Sequence, residues 1–426
     1  MLYSTLGKKL LSSKNITKDS FVWNSIASYL NSFQTMVLLL FITHFGSPSD
    51  GSFFVMGYAI ANLLLNVGRY GTRQFQVTDV KEKYSYRDYV YSRQFAMLLF
   101  SIGLIAYLAW GIICNGYSFS KVVIITFICI HRGIEAIEDV MHGRMQQMGR
   151  LDVASKILTI RLGIFIAGFA ICFCITRDLI LTTILNVAIT AILCLILNKA
   201  VISYLNHQDE KNTKAGFPKG LLLECLPIAL TTILGMYLCN APKYIIDGIV
   251  SDEMQTNFNI VFMPVFVVAL FSNFIFNPYL RKMGELWSSG QTSNLRALVF
   301  KLTLAPIAID ILVTLCGYFW GLPILSFVYG VNLSGYLGEL VLFLVLSGII
   351  SILNLYGMVL TTIRKQMHIL YGYIAGAVIM LIIGRPVLLQ TDMFTLSLVF
   401  LGIEALVAVY IMLVTFVSIR KPQKED

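Results

Sequence analysis

The chain alternates between long apolar runs and short polar segments. Each run is close to the roughly 20 apolar residues that a helix needs to cross a bilayer. The apolar windows predict twelve membrane-spanning helices. Their approximate bounds are 22–44, 52–70, 93–114, 121–141, 153–175, 178–203, 221–241, 257–279, 298–320, 337–360, 368–384 and 396–418.

Composition agrees with a membrane protein and argues against several other classes. Hydrophobic residues make up 57% of the 426 positions, and charged residues only 13%. A soluble fold of this size could not bury that much apolar surface. The net charge of +9 is scattered among loops, so no nucleic-acid-binding domain is expected. The eight cysteines lack a CxxC pair or a nearby histidine cluster and are interpreted as packing residues, not as a metal site.

The distribution of basic residues predicts the orientation in the membrane. With the N-terminus in the cytoplasm, all but six of the 32 lysines and arginines fall in cytoplasmic segments. Two of the six, Arg132 and Arg161, lie within spans, and the other four lie in segments predicted on the outer side of the membrane. We therefore expect both termini in the cytoplasm of a multi-pass protein.

The longest polar stretch between spans predicts a boundary between two lobes. We expect a cytoplasmic N-terminal segment (1–20), an N-lobe (21–204), a cytoplasmic linker (205–220), a C-lobe (221–418) and a cytoplasmic tail (419–426). A faint repeat relates 46–73 to 249–282, each with a Ser-Asp turn, a Phe-led span and then basic residues. Parallel six-helix repeats about an axis along the membrane normal are a transporter architecture.

A polar stripe marks the second span. Asn62, Asn66, Arg69 and Arg73 are spaced by four, three and four residues, so a helix places them on one face. One interpretation is that the arginines extend to the headgroups as topology signals. The other is that the stripe lines a hydrophilic cleft, open to the cytoplasm, that receives an anionic substrate.

The fourth span carries a dense charged run, HRGIEAIEDVMHGR. It contains His131, Arg132, Glu135, Glu138, Asp139 and His142, and Arg161 on the fifth span is predicted at similar depth. One interpretation is a buried ion-pair network that joins Arg132 and Arg161 to Glu135, Glu138 or Asp139. The other is a substrate or proton site.

The seventh span ends in NAPKYIIDGI. Pro242 is expected to kink this helix. Lys243 and Asp247 stand at the spacing of a helical ion pair, and Lys243 could instead line the outer half of the cleft. The part of the cleft formed by the second half of the chain could be lined by four asparagines: Asn259, Asn273, Asn277 and Asn354.

Several catalytic signatures are missing from the sequence. It has no GxxxxGK[ST] phosphate loop, no HExxH and no GxSxG. We therefore expect a protein that is not an enzyme and that needs no cofactor.

Four segments resemble Wzx-type polysaccharide flippases. They are LNVGRYGTRQFQVTD, GRMQQMGRLDVAS, NAPKYIIDGIVSD and GLPILSFVYG, in the setting of twelve spans. These flippases form a polysaccharide transporter family within the multidrug/oligosaccharidyl-lipid/polysaccharide (MOP) exporter superfamily. The resemblance covers nearly the whole chain and implies an all-α, MATE-like fold of two six-helix lobes.

The resemblance also implies a function. Such proteins move polyprenyl-pyrophosphate-linked oligosaccharide units to the outer leaflet of the bacterial cell membrane, for O-antigen, capsule or exopolysaccharide synthesis. The glycan would pass by alternating access through a cationic cavity between the lobes, while the lipid tail stays in the bilayer. Polysaccharide polymerase and glycosyltransferases of the pathway would be partners, with membrane lipids and no nucleic acid.

Carried onto this chain, the resemblance makes Arg69, Arg132, Arg161 and Lys243 candidates for the cavity lining, with Arg73 at its entrance. Coupling to Na⁺ or H⁺ is an open alternative, with Glu138, Asp139 or Asp247 as the coupling carboxylate. Two other functions also stay open. One is a MATE-like multidrug or metabolite exporter, and the other is a membrane-embedded glycan-processing enzyme using Asp247 and Asp252.

Overall fold

The computed structural model describes residues 2–79, 83–205, 217–266, 275–276 and 279–420, and these residues form helices without any β-strand. The helices are α1 Leu2–Leu11, α2 Ile16–Phe45, α3 Pro48–Arg69, α4 Thr72–Thr78, α5 Tyr86–Asn115, α6 Phe119–Gln147, α7 Leu151–Thr176, α8 Leu179–Leu205, α9 Lys219–Ile246, α10 Asp252–Phe262, α11 Leu280–Ser288, α12 Thr292–Cys316, α13 Leu322–Tyr329, α14 Leu337–Thr362, α15 Met367–Gln390 and α16 Met393–Arg420. A short π-helical turn, Gly317–Gly321, joins α12 to α13.

The prediction of an all-helical, multi-pass membrane protein is confirmed. In the described part of the chain, ten helices are long and apolar enough to cross a membrane, with α12, the π turn and α13 counted as one span. Helix α6 is also of spanning length at 29 residues, although its second half carries the charged run. The predicted eighth span begins at α10, and 267–274 and 277–278 within it lie outside the described residues.

Two compact units divide the chain, Met1–Met236 (unit 1) and Tyr237–Asp426 (unit 2). Their boundary falls inside α9. The predicted linker, 205–220, covers positions 206–216, which the structure does not describe, so the predicted lobe bounds stay predictions. The N-terminal segment is helical, and Leu10 of α1 packs in a core cluster with Met145, Ile157 and Val201.

Side-chain caps fix the starts of the helices that carry the candidate site. Helix α3 begins with a capping box in which Ser47 and Asp50 satisfy each other's backbone amides, and Pro48 follows the cap. Helix α5 begins with the same box, formed by Ser85 and Asp88. The start of α5 is therefore set at Tyr86, seven residues before the predicted start of the third span at 93.

A left-handed joint ends α3. Tyr70 and Gly71 have φ values of 50° and 65°, and α4 starts directly after them. A Cβ atom at Gly71 would lie 2.7 Å from Cγ2 of Ile228, so the site requires glycine for both backbone and space. The predicted stripe is therefore interrupted: Arg69 ends α3, whereas Arg73 belongs to α4.

Helix α6 is the centre of unit 1. It packs against α3, α4, α5, α7 and α8, while α2 packs chiefly on α7. This placement explains why a helix with so many charges is tolerated. Its polar side chains face other helices, where partners can neutralise them.

In unit 2, α12 packs against α14 through a close contact at Gly348. The carboxylate of Asp310 on α12 accepts a hydrogen bond of 2.8 Å from Ser347 Oγ. A Cβ atom at Gly348 would lie 2.5 Å from Asp310 Oδ2 and 3.1 Å from Asp310 Cβ. The two helices can approach this closely only because residue 348 has no side chain.

We expect Gly348→Ala to destabilise the protein by about 1–3 kcal/mol, the usual cost of overpacking a tight contact. The clash includes Asp310 Cβ, which cannot move without its helix. Gly402→Ala is the matched control, because no atom lies within 4 Å of its added Cβ. Denaturant unfolding in detergent micelles should rank the control at or above wild type, and equal stabilities of the two variants would contradict the prediction.

Candidate functional site

Three arginines converge on one buried carboxylate at the junction of α3, α4, α5 and α6. Asp139 Oδ1 lies 3.0 Å from a terminal nitrogen of Arg73 and 3.8 Å from Arg69 Nε. Its other oxygen, Oδ2, lies 3.0 Å from a terminal nitrogen of Arg93. We call these four residues the basic cluster. Guanidinium groups stay protonated in proteins, so the cluster carries two uncompensated positive charges.

Further hydrogen bonds position the three guanidinium groups. Arg73 also donates to Gln146 Oε1 at 3.0 Å. Arg93 donates to Thr72 Oγ1 at 3.0 Å and to the backbone oxygen of Gly68, in the last turn of α3. The left-handed joint that ends α3 therefore lies between two of the arginines and is held by the third.

The arginines differ in how far solvent reaches them. The side chains of Arg69 and Arg73 are 40% and 30% exposed, whereas that of Arg93 is 4% exposed. Arg93 satisfies the carboxylate from inside, and Arg69 and Arg73 present the excess charge outwards. A guanidinium offers a planar fork of donors that suits phosphate oxygens. The cluster can therefore bind an anion without losing its internal carboxylate contact.

The asparagines of the predicted stripe lie along α3 before the cluster. Asn62 and Asn66 are both half-buried, and Asn66 Nδ2 donates to the backbone oxygen of Asn62 at 2.9 Å. They follow one face of the helix toward Arg69, as their spacing predicts. Their role as substrate contacts stays a prediction.

The second charged group is a buried network on α6 and α7. Arg161 lies 3.0 Å from Glu135 Oε1 and 2.8 Å from Glu138 Oε2, and Arg132 also pairs with Glu135. These four side chains are at most 5% exposed. Two positive charges meet two negative ones, so the network is neutral. Burial and pairing favour the ion-pair interpretation of Arg132 and Arg161 over the cavity-lining one.

The structure corrects the predicted ion-pair network at Asp139. The sequence left it as a partner of Arg132 or Arg161, but the structure pairs it with the basic cluster instead. Glu138, the neighbouring candidate for ion coupling, pairs with Arg161 and also accepts a hydrogen bond of 2.8 Å from Asn198 Nδ2. Both carboxylates that α6 offers for ion coupling are thus engaged by arginine.

The two histidines of α6 border the same network. His131 stacks on Phe165 with ring centroids 4.0 Å apart, and its Nε2 lies 3.8 Å from Glu135. His142 Nε2 lies 3.6 Å from Glu138. Neither histidine forms part of a metal site, since the described residues hold no group of three potential ligands.

Lys83, just before α5, is an exposed charge that pairs with α9. Lys83 Nζ donates to Glu224 Oε1 at 2.6 Å, and Tyr84 Oη donates to the same oxygen at 3.0 Å. The hydrogen bond that Lys83 donates to the Glu224 carboxylate raises the pKa of Lys83 above its usual value. Lys83 remains largely exposed, as expected for a loop charge.

Comparison with known proteins identifies the architecture. No family model and no curated protein sequence matches the chain. Among solved structures, an inward-facing multidrug resistance MATE family transporter of the MOP superfamily aligns with a TM-score of 0.69, covering 94% of this chain and 98% of that one at 12% identity. A Vibrio cholerae MATE transporter aligns with a TM-score of 0.62 over 98% of both chains at 12% identity.

The chain has a MATE-like fold. A third structure with this fold is a MOP superfamily transporter from Pyrococcus furiosus (TM-score 0.60, 12% identity, covering 98% of this chain and 99% of that chain). At identities this low, the structural similarity establishes the fold alone. The predicted fold class is therefore confirmed.

Within the second unit of this MATE-like fold, Lys243 and Asp247 take separate partners. Lys243 Nζ lies 4.6 Å and 5.2 Å from the ring centroids of Phe262 and Phe266, a cation–π arrangement. Asp247 Oδ1 accepts a hydrogen bond of 3.1 Å from Gln255 Nε2. The structure thus gives Lys243 an aromatic environment in place of the predicted helical ion pair.

The asparagines predicted for the second half have mostly local roles where they are described. Asn259 Nδ2 donates to the backbone oxygen of Gln255 at 2.8 Å, a bond within its own helix. Asn354 is half-buried. Asn273 and Asn277 lie outside the described residues.

Among the buried charged residues that the sequence pattern does not single out, Arg93 and Glu404 bear most on function. The predicted topology places Arg93 among the loop charges, but it lies two turns inside α5. Glu404 on α16 is 3% exposed, and no hydrogen bond or ion pair reaches it from the described part of the chain. A lone acid in the run LVFLGIEALVAVY was the available signal, because such residues in apolar spans are costly and usually functional.

Proposed function

We propose that the protein is a flippase that transfers polyprenyl-pyrophosphate-linked oligosaccharides from the cytoplasmic to the outer leaflet. The observation that carries the proposal is the basic cluster, with two excess positive charges and two partly exposed guanidinium groups at the end of a membrane helix. A pyrophosphate diester is the anion that this charge and donor geometry suit. In this proposal the cluster lies on the cytoplasmic side of the cell membrane, with both termini in the cytoplasm.

The superfamily context supports an anionic substrate. The solved structure from Pyrococcus furiosus is described as having a binding pocket of reverse polarity that suggests a different function. The MATE-like fold is therefore not restricted to one polarity of ligand. In this chain the accessible charge of the basic cluster is positive.

The energetics of outward transfer fit a potential-driven step. With the cell interior negative, moving one negative charge outwards is favoured by about 2.3 kcal/mol per 100 mV. The main barrier is desolvation of the pyrophosphate, which paired guanidinium groups lower by replacing its water. Removal of the product by polysaccharide polymerase would complete the driving force.

The second candidate function is an ion-coupled multidrug exporter, and Glu404 favours it. A buried carboxylate without a described partner can exchange a proton or a cation with a cationic drug. In that case transport would depend on Glu404 and on an imposed proton or sodium gradient. The basic cluster would then be structural.

Leaflet transfer in liposomes tests the proposal. The purified protein is reconstituted with a labelled polyprenyl-pyrophosphate oligosaccharide, with and without an inside-negative potential. We expect Arg69→Gln to slow transfer at least about tenfold, equivalent to about 1.4 kcal/mol of transition-state stabilisation. Arg69 is the least tightly held member of the cluster, so Asp139 keeps its two 3.0 Å partners in this variant.

Arg87→Gln is the matched control, because Arg87 is an exposed arginine on α5 whose Nε donates to Tyr91 Oη. It should transfer at the wild-type rate. Absence of transfer by wild type, together with gradient-driven efflux of small organic cations that Glu404→Gln abolishes, would replace the flippase by the exporter.

A further inference from the structure

An apolar groove lies between α5 and α6, directly beside the basic cluster. It encloses a cavity of about 340 Å³, within the roughly 300–1,000 Å³ of small-molecule sites. One face of each helix lines it, through Tyr86, Val90, Met97, Ile137, Val140 and Met141. Gln94 and Ile137 are exposed, so the groove has an open side.

Arg93 is the one charged residue among those that line the groove, and it also belongs to the cluster. Its terminal nitrogens donate to Gly68, Thr72 and Asp139. Its Nε is buried and has no hydrogen-bond partner in the described part of the chain. A buried donor left unsatisfied costs about 1–3 kcal/mol, so this atom favours an acceptor from a ligand.

Charge and shape together define the ligand chemistry. The groove walls are apolar except for Arg93 and Gln94, and the adjoining cluster carries two excess positive charges. A free phosphate would gain nothing from the apolar walls, and a neutral lipid would gain nothing from the arginines. An amphiphile with an anionic group at the start of a hydrocarbon chain uses both.

We propose that this groove binds the first isoprene units of the polyprenyl carrier, with a phosphate oxygen accepting from Arg93 Nε. The inference rests on the proposed function and assigns the tail of its substrate to a site on unit 1. The groove would hold the carrier at a fixed depth while Arg69 and Arg73 contact the pyrophosphate. Tail and headgroup are then recognised by neighbouring faces of the same helices.

Photo-crosslinking tests the assignment. Two probes are used on the reconstituted protein: a polyprenyl phosphate with a diazirine in its first isoprene unit, and phosphatidylglycerol with a diazirine in its acyl chain. Peptide mapping should place the polyprenyl label on the groove faces of α5 and α6. Val90→Trp and Met141→Trp, which fill the groove, should each reduce that labelling at least about tenfold.

Leu98→Trp is the matched control on α5, because Leu98 is 57% exposed and does not line the groove. It should label like wild type. Equal labelling of the groove by phosphatidylglycerol would overturn the proposal in favour of bulk lipid. So would wild-type labelling in both groove-filling variants, each checked for a monodisperse gel-filtration profile.

Leaflet transfer by the same variants separates this inference from the proposed function. Wild-type transfer that persists in Val90→Trp and Met141→Trp would overturn the groove site and leave the flippase standing. Specific polyprenyl labelling in a protein that transfers no oligosaccharide would support the groove and overturn the flippase.

Discussion

Asp139→Asn is expected to lower the free energy of unfolding by about 3–5 kcal/mol, the cost of removing one partner from a buried ion pair. The substitution keeps the shape of the side chain and removes its charge. Three guanidinium groups would then face one another, and Arg93 is 96% buried, so solvent cannot screen it. Denaturant unfolding in detergent micelles, followed by tryptophan fluorescence, measures the loss.

The exposed pair Arg281–Glu285 provides the control for Asp139. Its side chains are 90% and 61% exposed, so Glu285→Gln should cost at most about 1 kcal/mol. The double variant Asp139→Asn with Arg93→Met should recover part of the loss, since it removes the most buried charge. A single Asp139→Asn variant as stable as wild type would show that the cluster does not depend on its carboxylate.

Arg161→Met is expected to destabilise unit 1 by a similar amount, about 3–5 kcal/mol. Arg161 is 1% exposed and contacts both Glu135 and Glu138, so its loss leaves Glu135 with Arg132 and removes the arginine that pairs with Glu138. Methionine preserves the unbranched apolar stem of arginine, which reduces the cavity that the substitution leaves. The same unfolding measurement applies.

For Arg161 the informative comparison is a double variant. Arg161→Met with Glu138→Gln removes one charge of each sign and should be more stable than Arg161→Met alone. Arg281→Met, at an exposed arginine, should be close to wild type. If the double variant were the less stable one, Glu138 would have a stabilising role that does not depend on Arg161.

Much of the fold followed from the sequence because the apolar windows are long and well separated. Helix α6 could also be recognised, since its first half is apolar and its charged half has a helical repeat. The arrangement of the candidate site is harder to predict from the sequence. The four-three-four spacing placed Arg73 on the same helix as Arg69, but Tyr70 and Gly71 break that helix with left-handed backbone. Spacing alone does not report such a joint.

Arg93 shows a missed local signal. The apolar window begins at 93 because the residues before it are polar, and this boundary position leaves Arg93 among the predicted loop charges. Ser85 and Asp88 form the capping box that starts α5 at Tyr86, and the Ser-x-x-Asp pattern was present in the sequence. With that start, position 93 lies inside a helix.

The partners of Asp139 could not be predicted. Asp139 is adjacent to Glu138 in the sequence, and arginines lie both before and after it along the chain. Which arginines it meets depends on the rotation of α6 between α3, α5 and α7, and that rotation is a property of the packed unit. The groove between α5 and α6 is likewise a result of packing and has no sequence pattern of its own.

The order of the cluster's residues along the chain has a consequence for synthesis. Arg93 precedes Asp139 by 46 residues, and Arg69 and Arg73 come earlier still. At about 5–20 residues per second, the ribosome needs about 2–9 s to reach the aspartate after the last arginine. During that interval the arginines have no Asp139 to neutralise them, so all three positive charges are available to anionic lipid headgroups. Helix α6 then brings the carboxylate that neutralises one of these charges and holds Arg93 among the buried side chains.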